Sequence, residues 1–209
     1  MSQYYPVSLD VAGRACLVVG GGAVAARKAA GLLACDALVS VVAPELGPAM
    51  SALASSLQQV ARRPYAAGEA AGYRLVITAT GVADVDAAVY ADAEAAGVWV
   101  NSADDRAHCS FILPSVHRDG AVTVAVSTGG ASPALATWWR GQLAAQSGPG
   151  LGQLAELLGQ ARRDLQAAGR STESVDWAAL LAGPLPDLVR QGRLDEARAL
   201  VEAATAVAG

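Results

Sequence analysis

Three short segments carry residue types whose spacing could do chemistry. The first is Gly20-Gly21-Gly22-Ala23-Val24-Ala25, which follows the apolar run Ala15–Val19 and opens a stretch of helix formers. The second is Val100-Asn101-Ser102-Ala103-Asp104-Asp105, where two adjacent acids end an apolar run. The third is Thr128-Gly129-Gly130-Ala131-Ser132-Pro133, a second glycine turn that opens onto another helical stretch.

The first segment has GxGxxA spacing. In a chain with 22 glycines the pattern alone is weak, but the strand before it and the helix after it make it specific. Gly20 permits a tight turn, Gly22 lets the backbone approach a pyrophosphate, and Ala25 allows close packing of helix on sheet. The amides of Ala23 and Val24 then point at the phosphates, helped by the helix dipole. A dinucleotide is therefore expected here. The acid that usually holds the adenosine ribose should lie about 20 residues on. That place is occupied by Ala43-Pro44-Glu45, so Glu45 comes late and Pro44 and Glu45 are expected to meet the adenosine by side chain or backbone. No arginine follows that strand to pair with a 2′-phosphate, which favours NAD over NADP.

The second segment ends a strand at the carboxyl edge, where ligands of open α/β sheets bind. Asp104 and Asp105 read equally well as a general base and its neighbour or as solvated turn residues. His108, close in sequence, either assists proton transfer or is a surface residue; His117 reads as a loop residue. In the third segment, Ser132 is a plausible N-cap with Pro133 at the first helical position. The amides of Thr128 to Ala131 either bind an anion or form a tight turn only.

Positioning these segments requires an α/β framework. Residues 15–19, 38–43, 59–63, 74–80 and 98–101 read as strands, and residues 23–34, 47–58 and 82–96 as helices. The alternation predicts a Rossmann-like parallel sheet with helices on both faces. After residue 101 the rhythm weakens: 111–113 and 121–127 read as strands and 133–145 as a helix. Residues 147–152 read as a linker or hinge, and the remainder as helices over 151–168, 174–182, 184–191 and 193–207. The predicted organisation is an NAD-binding Rossmann domain over 1–113, a small α+β dimerisation segment over 114–146 and a helical C-terminal domain over 147–209. Cys16 is expected in the core. Of the pair Trp138-Trp139, one ring is expected in an interface and the other partly exposed, because neighbours on a helix face different ways.

Bulk properties exclude several classes. The chain has 209 residues, 53% of them hydrophobic and 16% charged, which suits a globular protein. Its net charge of −4 argues against a general nucleic-acid binder. Three cysteines without a CxxC pair argue against a disulfide framework, and two histidines offer no cluster for a metal. The first residues lack the basic and apolar regions of a signal peptide, and no apolar run is long enough for a membrane span. A cytoplasmic protein is the expectation.

The three segments, with Arg27-Lys28 after the first and Ser110-Phe111-Ile112-Leu113-Pro114-Ser115 between the others, resemble the precorrin-2 dehydrogenase/ferrochelatase family, the module found in siroheme synthases. The resemblance runs in order from about residue 5 to 145. It implies oxidation of precorrin-2 to sirohydrochlorin with NAD as acceptor, and insertion of Fe²⁺ or Co²⁺ by some members. It also implies a homodimer formed by the segment that starts near Pro114. It puts the family's important aspartate on Asp104, cofactor contacts on Thr80 and Asn101, and the family's modifiable serine on Thr128. Gly81 stands where the family usually has an aspartate. The implied substrate is a polycarboxylate and the protein is acidic. Local anion contacts are therefore expected from Arg27, Lys28, Arg106 and the Thr128–Gly129–Gly130–Ser132 turn. A short-chain dehydrogenase would need Tyr-x-x-x-Lys, but Tyr90 is followed by Glu94 and Lys28 is the sole lysine. A non-catalytic NAD-sensing module is the alternative; it would not need the second and third segments.

Overall fold

A computed structural model describes residues 4–207. The chain divides into two compact units, residues 1–113 and 114–209.

The first unit is an open parallel sheet. Its strands are β1 (Ala15–Val19), β2 (Leu38–Val42), β3 (Gln59–Ala61), β4 (Leu75–Thr78) and β5 (Trp99–Ser102), in the order β3-β2-β1-β4-β5. Helices α1 (Ala23–Leu33), α2 (Pro48–Ser51) and α3 (Ala83–Ala95) connect them. β1 is apolar throughout because both of its faces are covered. Cys16 and Val18 pack with Ala25, Ala29, Val39 and Val41 on one face, and Leu17 and Val19 pack with Val76, Val89 and Val100 on the other. The alternate residues take opposite sides, as the two-residue period of a strand requires. Cys16 is fully buried, as expected.

The order reverses between β1 and β4, so the carboxyl ends of these two strands part and leave a crevice. The loops that carry the first two segments open at this edge.

The expected helix over 47–58 is shorter. It runs only over Pro48–Ser51, followed by a 3₁₀ turn at Ala54–Ser56. Serines 51, 55 and 56 compete with the helical backbone for hydrogen bonds, and the buried Met50 anchors the single turn.

The second unit begins with an antiparallel hairpin, β6 (Ser115–Asp119) and β7 (Val122–Val126), followed by α4 (Pro133–Ser147), α5 (Leu151–Ala167), α6 (Trp177–Ala182), α7 (Leu185–Arg190) and α8 (Leu194–Val207). The expected strand over 111–113 is absent, and β6 was not anticipated. Residues 109–111 instead run back along β5, as described below. His117, expected in a loop, is half-buried in β6 opposite Val124.

The segment over 147–152 is pinned rather than hinged. The Gly150 amide donates to Asp119 Oδ2 at 3.1 Å. A Cβ on Gly152 would lie 2.7 Å from the Asp119 carbonyl oxygen, and one on Gly148 3.0 Å from the Arg190 side chain. Three close approaches hold the start of α5 against the hairpin and α7. Behind it, Leu154, Leu165, Leu185, Val189 and Val201 form the core of the helical part.

The Trp138-Trp139 pair lies on α4. In this chain both are exposed, 56% and 44%, with ring centroids 5.5 Å apart. Their Cβ atoms point about 100° apart around the helix, but the long side chains lean together.

Candidate active site

The glycine turn is held from two sides. The Gly20 amide donates to the Val42 carbonyl at 2.9 Å, and the Gly47 amide to the Gly21 carbonyl at 2.9 Å. Gly20 has φ +125°, and a Cβ there would lie 2.3 Å from the Ala79 carbonyl oxygen. A Cβ on Gly21 would lie 1.9 Å from the Glu45 carbonyl oxygen. Gly21 was not singled out from the sequence, yet it is the position where the loop after β2 crosses the turn. The repeated glycine was the only sequence signal for it.

Gly22 differs from both neighbours. It is the N-cap of α1 in extended conformation, no side chain caps the helix, and a Cβ would meet no protein atom within 4 Å. The first turn of an eleven-residue helix thus presents its amides, including those of Ala23 and Val24, to open space at the crevice. This open, uncapped cradle fits a dinucleotide pyrophosphate. Ala25 is fully buried against the sheet, as the motif requires.

The loop after β4 forms the opposite wall. Thr80, expected to meet the cofactor, uses its hydroxyl within the loop. It donates to Asp86 Oδ1 at 2.8 Å and accepts from the Val82 amide at 3.0 Å. Asp86, in the first turn of α3, also accepts from the Thr78 hydroxyl and the Thr80 amide. Asp86 and Thr78 are buried, 7% and 0% exposed. This carboxylate fastens the loop beside Gly20 and escaped the sequence reading. The signal that existed was Thr-x-Thr at a strand end with an acid in the next helical turn. Gly81 has φ +72° with no atom within 4 Å of a would-be Cβ, so it serves the turn itself.

The loop after β5 is closed by a clasp. Asn101 is buried, and its side-chain amide donates to the Phe111 carbonyl at 3.0 Å and to Cys109 Sγ at 3.4 Å. The Val100 amide donates to Ser110 Oγ at 2.7 Å, and the Ser110 amide to the Val100 carbonyl at 2.9 Å. Cys109 pairs with Asn101 in an isolated antiparallel bridge. The Asn101 side-chain NH₂ is thus committed to the protein. Burial pushes the Cys109 thiol above its ordinary pKa, which suits packing rather than nucleophilic work.

The clasp presents residues 103–108 as a loop at the sheet edge. Asp104 is exposed, and its carboxylate has no hydrogen bond or ion pair among the described residues. Asp105 is occupied: Oδ1 accepts from the Ala107 amide at 2.8 Å, and Oδ2 lies 2.9 Å from His108 Nδ1. The His108 ring also leans on Tyr90, centroids 5.0 Å apart. Arg106 is engaged with the N-terminal segment, its Nε donating to the Tyr4 hydroxyl at 3.4 Å and its guanidinium lying 5.6 Å from that ring's centroid.

On α1, Arg27 is exposed and Lys28 half-buried. Burial, then the charge of Arg27, holds the Lys28 ammonium below the ordinary lysine range, while Cys109 and Asp104 act to raise it. The influence of Asp104 brings the second segment electrostatically to the helix that follows the first. Pro44 and Glu45 are exposed on the loop after β2.

The third segment lies in the second unit. Ser132 caps α4, its Oγ accepting from the Leu135 amide at 3.2 Å, with Pro133 at the first helical position. Thr128 Oγ1 donates to the Ser132 carbonyl and accepts from the Ser132 amide, both at 3.0 Å. The Gly129 amide donates to Ser127 Oγ and the Ala131 amide to the Thr128 carbonyl. Most donors of this turn are therefore consumed internally. No group of three or more metal-ligating side chains occurs among the described residues, and no helix among them is long and apolar enough to cross a membrane.

A parallel sheet in this order, with an uncapped helix behind a glycine turn at its switch point, defines a dinucleotide-binding protein of the Rossmann type. Residues 7–115 match the model of a family described as "Putative NAD(P)-binding". The chain belongs to that NAD(P)-binding family. It is also similar to the siroheme synthase of Chromobacterium violaceum, 40% identical over 99% of this chain and 45% of that protein. The siroheme synthase of Nitrosococcus oceani is 37% identical over 97% of this chain and 44% of that protein. The chain thus spans about half the length of these curated relatives. Among solved structures it resembles SirC, precorrin-2 dehydrogenase, with a TM-score of 0.75 and 25% identity, covering 96% of this chain and 98% of that one.

Proposed function

We propose that this protein oxidises precorrin-2 to sirohydrochlorin with NAD as the hydride acceptor, a step of siroheme synthesis. The observation that carries this reading is the unpartnered Asp104 carboxylate, presented by the Asn101–Phe111 clasp at the same sheet edge as the open cradle at Gly22. The similarity to SirC, precorrin-2 dehydrogenase, and to siroheme synthases supports it.

Bound NAD supplies a two-electron acceptor that takes one hydride from the substrate. Gly20, Gly22, Ala23 and Val24 hold its pyrophosphate, and Pro44 and Glu45 border its adenosine. Thr80 and Asn101 shape the two neighbouring loops rather than reach out through their side chains. Dehydrogenation also releases a proton, and Asp104 takes it as general base. Arg27 and Lys28 supply positive charge for a polycarboxylate beside Asp104, and Arg106 is available when it leaves Tyr4. Within the Thr128, Gly129, Gly130 and Ser132 turn of the second unit, the Thr128 and Gly130 amides have no partner among the described residues and are the donors left for an anion; the Thr128 hydroxyl and Ser132 serve the turn and the cap.

The same carboxylate suits metal insertion, in which Fe²⁺ or Co²⁺ replaces two pyrrole N–H protons and a base must accept them. A homodimer through residues 114–146 is part of the proposal, supported by Leu135, Trp138 and Trp139 exposed together on α4. So is a cytoplasmic location, where the three free cysteines stay reduced.

The test is anaerobic incubation of the protein with precorrin-2 and NAD, following NADH and sirohydrochlorin, then addition of Fe²⁺ or Co²⁺. Stoichiometric NADH and sirohydrochlorin are expected, with Asp104→Asn slowed by about 10²-fold or more. Nucleotide binding without NADH formation would leave the non-catalytic NAD-sensing alternative in its place.

A further inference from the structure

No arginine follows β2 in the sequence, yet the fold brings one to its end from the neighbouring strand. β3 lies beside β2 in parallel register, Val42 opposite Ala61, and the Ala43 amide donates to the Ala61 carbonyl at 3.1 Å. Arg62 therefore leaves β3 at the carboxyl edge, level with Ala43 and about 5 Å away across the strand spacing. The next residue is already employed: Arg63 forms an ion pair with Glu69 and donates to the Pro64 carbonyl at 3.0 Å. Arg62 is exposed and has no hydrogen bond or ion pair among the described residues.

Glu45 is the counterpart. Its backbone is fixed over the glycine turn by the close approach of its carbonyl to Gly21. Its side chain is exposed and unpaired among the described residues. A carboxylate and a guanidinium thus stand on adjacent loops at the end of β2, unpaired with each other, where the adenosine ribose of a dinucleotide lies in this fold. A carboxylate accepts hydrogen bonds from a ribose diol and repels a phosphate, whereas a guanidinium binds a phosphate through paired N–H donors.

We propose that Glu45 and Arg62 form the specificity pair for the adenosine ribose. Glu45 selects the unphosphorylated nucleotide, and Arg62 is a latent ligand for a 2′-phosphate. The site therefore discriminates against NADP through a single carboxylate, with the opposing cation already in place. This rests on the NAD reading above.

The experiment is calorimetric titration of the purified chain with NAD⁺ and with NADP⁺, for the wild type, Glu45→Gln, Arg62→Gln and the double variant. Both side chains are exposed, so the variants should fold, and thermal melts check this. The wild type should prefer NAD⁺. Glu45→Gln should weaken NAD⁺ binding and tighten NADP⁺ binding about tenfold, as the loss or gain of one charge-assisted contact would give. Arg62→Gln added to it should erase the gain for NADP⁺ while moving NAD⁺ less than about twofold. The NADP⁺ gain should also shrink as salt rises. An NADP⁺ affinity indifferent to Arg62 in the Glu45→Gln background overturns the proposal while leaving the NAD reading intact. A wild type that binds neither nucleotide overturns both.

Discussion

Replacing Asp86 by alanine removes the carboxylate that ties the loop after β4 to α3. Three donors lose their acceptor: the Thr78 hydroxyl, the Thr80 hydroxyl at 2.8 Å and the Thr80 amide at 3.4 Å. They do not lose equally. Thr80 is half-buried and can turn to water or to the Val82 carbonyl at 3.2 Å. Thr78 is fully buried and has no such escape. An orphaned buried hydroxyl costs about 1–3 kcal/mol, and the lost charge-assisted bond to Thr80 adds roughly 1 kcal/mol after solvent takes over. The expected loss is about 2–4 kcal/mol, or roughly 5–15 °C in melting temperature for a chain of this length. Asp86→Asn keeps one acceptor oxygen and should recover at least half of it. Thr78→Val combined with Asp86→Ala should cost less than the sum of the single changes by about 1–2 kcal/mol, because no orphan remains. NAD affinity should fall with Asp86→Ala, since the loop it holds touches Gly20. The assay is thermal and denaturant unfolding of the wild type and the four variants (Asp86→Ala, Asp86→Asn, Thr78→Val and the double change), paired with nucleotide titration. A melting temperature within about 2 °C of wild type, or strictly additive single changes, would refute the account.

Gly21→Ala should lower NAD affinity by about 10–100-fold, measured by titration, because its Cβ would lie 1.9 Å from the Glu45 carbonyl oxygen and backbone must move; Gly22→Ala, with no protein atom near, should spare the melting temperature. Gly152→Ala should destabilise by about 1–3 kcal/mol in denaturant unfolding, since its Cβ would press on the Asp119 carbonyl and the Gly120 backbone. Burial, then its hydrogen bond to Asp92, pushes the Tyr65 phenol up to about 12. The folded state thus favours the protonated phenol, so this contribution is whole below about pH 10 and is lost as pH rises toward 12. Tyr65→Phe should remove that part of the alkaline fall in stability, and an unchanged pH profile would dismiss it. Lys28, the only lysine, should titrate below ordinary lysines in carbon-13 spectra of the reductively methylated protein. Asp104→Asn should lower it further, because the Asp104 charge acts to raise it; an upward shift would contradict the proximity of the two.

Much of the site was legible because its signals are local. The glycine turn depends on a strand, a tight turn and an uncapped helix that are contiguous in sequence. The Ser132 cap and Pro133 were readable for the same reason: a cap bonds within its own first turn, here at the Leu135 amide. The apolar run of β1 required a sheet covered on both faces, and with it the α/β class. Asp104 could be placed at a strand end, and the family resemblance, not its residue type or position, set it apart from Asp105.

The tertiary structure decided what depends on neighbours distant in sequence. Asp105 is spent on His108 and the Ala107 amide, whereas Asp104 has no partner among the described residues. Residue type and position leave the two acids equivalent, and only the family resemblance singles out Asp104; the loop's conformation gives the physical difference between them. Asn101 forms the clasp because Phe111 returns along β5, a long-range approach with no local period to announce it. Asp86 became an anchor because α3 sets it beneath Thr78 and Thr80. Arg62 reached the end of β2 because β3 lies next to β2. Strand order is a choice of partners in space. Periodicity identifies a strand and its faces, but not the strand that lies beside it.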